Sequence, residues 1–166
     1  MGVGKNVNRK EFAKAFLIRA RADLKSANAL LKDNDFADAV YHAQQCAEKA
    51  IKAHLILENR FAAVHVISPI YVEVSRKLKV KALEKVLSLY KDLEMGWIRP
   101  RYPFPEEKEI WNPVEEYKKK DAEESIKKAG LVFSILTKYL KEKYGIEIEK
   151  PSNRRAKPQH GRAGDA

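Results

Sequence analysis

The sequence predicts an all-α protein, an up-and-down bundle of four to five helices, and three observations carry that expectation. Apolar residues recur at three- and four-residue spacing through several long segments, the pattern of helices that bury one face. The interruptions between those segments are turn residues or prolines, and the shortest, Lys32-Asp-Asn-Asp35, makes its two neighbours an antiparallel pair. The one segment with strand-like composition, Val64-His-Val-Ile67, has no second strand to pair with and is expected to be an ordered loop. No segment repeats at a fixed period and no heptad is sustained, which argues against a solenoid or a long coiled coil.

Taken in order, residues 1–8 hold two glycines and two asparagines without periodicity and are expected to form a disordered leader. From Arg9 to about Leu31, the residues Phe12, Phe16, Ala20, Leu24, Ala27 and Leu31 form the inward stripe of a first helix. Asp35 supplies an N-cap acceptor for a second, expected from Phe36 to about Glu58. Its apolar stripe, Ala39, Val40, Ala43, Ala47, Ala50, Ile51 and Leu55, is narrow and flat, so a neighbour can approach closely. A third helix begins near Ser68, with Pro69 in its first turn where the missing amide does no harm, and runs irregularly toward Lys79. Another, from about Lys81 to Glu94, turns Leu83, Val86, Leu87 and Tyr90 to one side; the pattern leaves open whether the two are one kinked helix.

Met95 to Pro113 fits no period, and Pro100, Pro103 and Pro105 forbid a helix and bias the preceding residues toward extended backbone. A long loop is expected there, and loops of this length are uncommon in compact domains unless they work or are mobile. The last helix is expected from Pro113 to about Tyr144 on the stripe Ala122, Ile126, Ala129, Val132, Phe133, Leu136 and Leu140, with Gly145 as its stop. The expected organisation is therefore a leader over 1–8, a bundle over 9–145 and a basic flexible tail over 146–166.

A chain of 166 residues has room for one domain that buries about two thirds of its unfolded surface. Cys46 is the single cysteine, which excludes an internal disulfide, and no apolar run is long enough to span a membrane. The N-terminus lacks the apolar segment of a signal peptide, so a cytoplasmic protein is expected. The net charge of +10 raises encounter rates with polyanions without naming one. The Lys, Glu and Arg content also resembles a thermophile's surface, where ion pairs serve stability at high temperature.

The second helix organises the chain. Opposite its alanines it carries Tyr41, Gln44, Gln45, Glu48, Lys49 and Lys52, and Glu48 precedes Lys52 by four residues. An exposed pair at that spacing contributes only about 0.3–0.5 kcal/mol, so stability alone does not explain a second face of this kind. The run Tyr41-His-Ala-Gln-Gln-Cys-Ala-Glu-Lys-Ala-Ile-Lys-Ala53 resembles the signature of the HEPN domain, a family of small helical proteins, and Arg101-Tyr-Pro103 resembles a triplet that one branch carries before its last long helix. The resemblance implies a helical bundle, and a minimal nucleotidyltransferase as partner, because small HEPN proteins often accompany one in toxin–antitoxin-like pairs.

The resemblance also sets a test for enzymatic activity. Family members that cut RNA carry an arginine followed a few residues later by a histidine, one to neutralise phosphate and the other to move a proton at the ribose 2′-hydroxyl. After Arg101 come Tyr-Pro-Phe-Pro-Glu-Glu-Lys108, with no histidine. Arg60 and His65, and Arg155 and His160, match the spacing by letter, but the first pair lies between helices two and three and the second in the tail. His42 and His54 stand three turns apart on one helix and cannot share a metal, so no metal or cofactor is expected.

Two groups remain as nucleotide- or RNA-binding candidates. Gln45, Glu48, Lys49 and Lys52 offer polar contacts and two point charges on the second helix. Arg99 and Arg101 lie among Trp97, Tyr102, Phe104 and Trp111 in the proline-rich segment, where cations meet rings on which bases stack. Arg154, Arg155, Lys157 and Arg162 add sequence-blind cations in the tail. The expectation is a homodimeric HEPN-like protein that binds nucleotide or RNA without catalysis. The alternatives are a metal-independent endoribonuclease using Arg60 and His65, and a regulatory dimer with no nucleic-acid function. The dimer is inferred from the second helix, whose alanine-lined and polar faces suggest a symmetric seam.

Overall fold

The computed structural model describes residues 8–149, and within them the chain is a helical bundle around its second helix. Helix α1 (Arg9–Lys32) starts at Asn8, whose side-chain oxygen accepts from the amides of Lys10 and Glu11. Asn34, in the left-handed region at φ 61°, turns the chain. Asp35 then caps α2 (Phe36–Leu57) by accepting from the Asp38 amide. Helices α3 (Ser68–Leu78) and α4 (Lys81–Leu93) are separate, because Lys79 is left-handed at φ 52° and Val80 is extended. The bundle closes with its last long helix (Lys119–Tyr144), which Gly145 ends at φ 67°.

Helix α2 packs against α1, α4, the last helix and a short 3₁₀ helix, Glu94–Trp97, and 16 of its 22 residues are buried. Ala43, Ala47, Ala50 and Ala53 share one core with Leu17, Ile51, Leu136 and Leu140. Each large aliphatic side chain there contributes about 1.5–3 kcal/mol by leaving water. The alanine stripe thus lets neighbouring helices of the same chain approach. It leaves no alanine face to serve as a seam between subunits, so the argument that pointed to a dimer does not hold for this helix.

The segment Met95–Pro113 is not a structureless loop. After the 3₁₀ helix it forms a hairpin of β1 (Phe104–Glu106) and β2 (Glu109–Trp111), with Glu107 left-handed at φ 55° in the turn. Glu106 pairs with Glu109 and Pro105 with Ile110. Across a two-residue turn the closing pair is the hydrogen-bonded one, so the proline falls at a position that needs no amide.

The last helix also starts later than its periodicity suggests. A single turn, α5 (Pro113–Glu116), is followed by extended Tyr117 and Lys118 before α6 (Lys119–Tyr144). The Lys118 amide donates to Asp121 at 2.8 Å, a cap that fixes the new start. Past Gly145, Ile146 is buried and Ile148 partly buried against the core. The leader expectation for 1–7 and the tail candidates Arg154, Arg155, Lys157, His160 and Arg162 fall outside the described residues. Among the described residues no helix is long and apolar enough to cross a membrane.

Candidate functional site

At about 100° per residue, Tyr41, Gln45, Glu48, Lys49 and Lys52 share one stripe of α2, with His42 at one margin and Gln44 at the other. Glu48 is its hub, with a side chain only 3% exposed. Lys52 Nζ donates to Glu48 Oε1 at 2.7 Å and Gln44 Nε2 to Oε2 at 2.9 Å. His65 Nδ1 lies 3.3 Å from Oε1. Gln44 Oε1 in turn accepts from Gln45 Nε2 at 2.8 Å, and Gln45 Oε1 from Lys49 Nζ at 2.7 Å. Lys49 Nζ lies 2.8 Å from Asp23 Oδ2, and buried Asp23 also meets His42 Nδ1 at 3.0 Å and Arg19 at 3.2 Å. A line of polar contacts therefore crosses α2 from Asp23 on α1 to His65 in the loop beyond α2.

The polar second face of α2 is largely closed off by the rest of the chain. Gln44, Gln45, Glu48 and Lys52 are buried, because α1 closes one side of the stripe while the 59–67 loop and the 3₁₀ helix close the other. Lys49 and Lys52 are consequently committed to Asp23 and Glu48 and are not free point charges for a phosphate. Asp23 was missed by the sequence reading, although it occupies the same helical stripe as Ala20 and Ala27 and so stands where a buried residue belongs.

The far wall is placed by two devices. Glu94 Oε1 accepts from the amides of Ile67 and Ser68 at 2.9 and 2.8 Å, which ties the loop to the 3₁₀ helix. Gly96 allows that helix to lie directly on α2, since a Cβ there would stand 2.9 Å from Gln44 Cβ. Trp97 then stacks on His65 with ring centroids 4.8 Å apart and planes 10° from parallel. His65 is half exposed, so its Nδ1 faces a buried carboxylate while part of the ring faces solvent.

Beyond the 3₁₀ helix the arginines separate. The Arg99 guanidinium lies 4.5 Å from the Trp111 ring centre and reaches Glu106 at 3.4 Å. Arg101 lies 5.0 Å over Tyr41 and 5.2 Å from Tyr102, and among the described residues it has no carboxylate within ion-pair distance. Arg101 thus sits at the Tyr41 end of the α2 stripe and His65 with Trp97 near its Glu48 end. The sequence candidates divide accordingly: Gln45, Glu48, Lys49 and Lys52 belong to one network, Trp97 to the histidine stack, and Arg99, Arg101 and Tyr102 to the hairpin side.

Arg60 is held elsewhere. It pairs with Glu73 on α3, whereas His65 is positioned by Glu48 and Trp97. His54 is fully buried, with Nδ1 3.1 Å from the Tyr71 hydroxyl and its ring against Tyr139; burial lowers its pKa to about 4. Burial likewise pushes the Cys46 thiol up to about 12, with Asp23 adding to the shift, which suits a packing role over a nucleophilic one. Among the described residues no cluster of metal-ligating side chains occurs.

The model of the HEPN domain matches residues 13–142, which takes in the α2 stripe, the loop, the hairpin and most of α6. The chain belongs to the HEPN domain family. A protein of Methanocaldococcus jannaschii named "Putative toxin MJ1304" is 46% identical over 142 residues, spanning 82% of this chain and 93% of that protein. The crystal structure of TT1696 from Thermus thermophilus superimposes with a TM-score of 0.65 at 26% identity, covering 76% of this chain and 96% of that one. ST0689, an archaeal HEPN homologue, gives a TM-score of 0.59 at 24% identity over 77% and 97% of the two chains, a likeness of fold. In this HEPN domain, the arginine nearest the start of the last long helix that is free of carboxylates is Arg101, and the exposed histidine with a buried carboxylate behind it is His65.

Proposed function

We propose that this HEPN protein is a toxin-type component that binds RNA or nucleotide through phosphate, without cleaving it, as a cytoplasmic homodimer working with a minimal nucleotidyltransferase. Support for the toxin-type role comes from the relative named as a toxin, 46% identical over most of both chains. The observation that carries the ligand reading is Arg101. Its guanidinium lies over the Tyr41 and Tyr102 rings, which hold the cation in place, and it is unclaimed by any carboxylate among the described residues. A net charge of +10 favours the encounter.

Two measurements test this. Fluorescence anisotropy with a short single-stranded RNA should show binding that Arg101→Ala weakens. Expression of the chain should arrest growth of a bacterial host, and co-expression of a nucleotidyltransferase encoded beside it should relieve the arrest. Absence of arrest, or arrest indifferent to that partner, contradicts the paired role.

One observation favours a second reading, a metal-independent endoribonuclease. A histidine oriented by a buried carboxylate, as His65 is by Glu48, is equipped to move a proton. Arg60, which the sequence would pair with it, is engaged by Glu73, so this reading rests on Glu48 and His65.

A further inference from the structure

We propose that the outer edge of β2 is a docking site for an extended, basic segment of a partner protein, which adds to the hairpin as a third strand. The proposal rests on the partnered role above and names the part of this chain that the partner meets. The sheet has two strands, so among the described residues nothing pairs with the far side of β2. Because Glu106 and Glu109 form the hydrogen-bonded pair that closes the turn, Ile110 stands at the alternate position, with its amide and carbonyl directed away from β1. A strand edge with a free amide and carbonyl is a template for pairing with another chain. Strand β1 presents Pro105 at the corresponding place and has no amide to offer there, so the hairpin is blunted on that side and open at β2. The side chains agree with the backbone. Tyr102, Ile110 and Val114, 52%, 64% and 82% exposed, place three large apolar side chains in water within one short segment, more than isolated surface residues explain.

Charge then decides the occupant. A hollow of about 570 Å³ beside Ile110 is lined by the carboxylates of Glu106, Glu107, Glu109 and Glu116 against one cation, Lys108. Arg99 answers Glu106 alone, at 3.4 Å. Glu106 and Glu109 stand directly opposite each other on the two strands, where like charges destabilise the pairing, so a cation from outside relieves the hairpin as it binds. The sign here is the reverse of the chain's net +10. A nucleic acid is repelled by such a surface, and a second copy of the chain would bring its own glutamates against these. An extended protein segment with lysine or arginine beside apolar residues meets the charge, the open edge and Ile110 together.

Isothermal titration of the full chain with a short peptide alternating lysine and valine tests the site. The peptide should bind, and the same peptide with glutamate in place of lysine should not. Methylating the backbone nitrogens of alternate residues, which keeps charge and side chains but removes the amides facing one neighbouring strand, should weaken binding about tenfold. Ile110→Pro should do the same to the unmodified peptide, because a proline there removes the outward amide at a position that the β1–β2 ladder does not use. Glu109→Lys with Glu116→Lys, which keeps the edge and reverses its charge, should also weaken binding. Equal binding of the glutamate peptide, or binding that Ile110→Pro and backbone methylation both leave unchanged, overturns the site. A dimer in light scattering that Ile110→Pro converts to monomer gives the edge to a second copy and overturns it as well. If the nucleotidyltransferase relieves growth arrest by the Ile110→Pro chain as fully as by the parent chain, the docking site is wrong and the paired role stands. If it relieves neither while the peptide still binds as expected, the paired role falls and the edge stands as a site for basic segments.

Discussion

Glu48 and His65 meet at 3.3 Å, carboxylate to Nδ1, although one sits in the middle of α2 and the other in the loop that follows it. The contact brings a buried charge to the surface through a single ring, and three further groups depend on the same carboxylate or its neighbours: Lys52, Gln44 and Tyr90. Burial, together with Glu48 and Glu94, holds the Tyr90 hydroxyl well above its usual pKa, so it stays a neutral partner within this network.

Glu48→Ala should therefore be among the most destabilising single changes outside the aliphatic core. It strands the Lys52 ammonium in a buried site and orphans Gln44, at a cost of about 3–5 kcal/mol. Glu48→Gln, which keeps one acceptor, should cost less. Denaturant unfolding of the two variants measures this, and a Glu48→Ala loss below that of Glu48→Gln would show that the network does not bear on stability.

Stability should also fall with acid in a defined window. His54 is neutral in the fold until about pH 4, against an ordinary value of 6.5, so between those values the unfolded chain binds the extra proton and the fold does not. Stability is fully present above pH 6.5 and is lost as pH falls toward 4, by about 3 kcal/mol from this group. Thermal melts across that range should show the loss, and His54→Gln, which cannot take the proton, should flatten it.

The features legible in the sequence are those set by period. The long helices follow from apolar spacing, the α1–α2 turn from Asn34 and Asp35, and the stop at Gly145 from its place after the last stripe residue. Which polar residues are buried was not legible, because Glu48 and Lys52 at four-residue spacing look alike whether a loop covers them or water does. The hairpin was hidden for a different reason: its turn is Glu107-Lys108, without the Asn-Gly or Asp-Gly that announces a two-residue hairpin, and Pro105 stands in β1. The split between Arg99 and Arg101 follows from that hairpin, since it brings Glu106 back to Arg99 and leaves Arg101 over Tyr41.

The proposed homodimer would have to use a surface other than α2, whose alanine face is spent inside the bundle. Val64 and Val66, 46% and 48% exposed on either side of His65, are apolar side chains available for such a contact. Light scattering should give about twice 19.0 kDa at micromolar concentration, and Val64→Asp with Val66→Asp should shift it toward the monomer. A monomeric parent protein contradicts the dimer.

Purified protein should leave generic single-stranded RNA intact, with or without EDTA, since no histidine follows Arg101 and Arg60 is bound to Glu73. Cleavage that disappears in His65→Ala would reverse this and promote the Glu48–His65 pair to a catalytic role.

Arg101 is the proposed phosphate contact, and the salt dependence of RNA binding tests that role most directly. With the full chain, Arg101→Ala should weaken binding at every salt concentration and lower the slope of log affinity against log salt by about 0.7, the share of one phosphate contact on a single strand. Arg101→Lys should restore the slope but not the full affinity, because a lysine keeps the charge and loses the guanidinium's fork of donors beside Tyr41 and Tyr102. Unchanged affinity and slope in Arg101→Ala would contradict the assignment and leave RNA binding, if seen, to cations elsewhere in the chain.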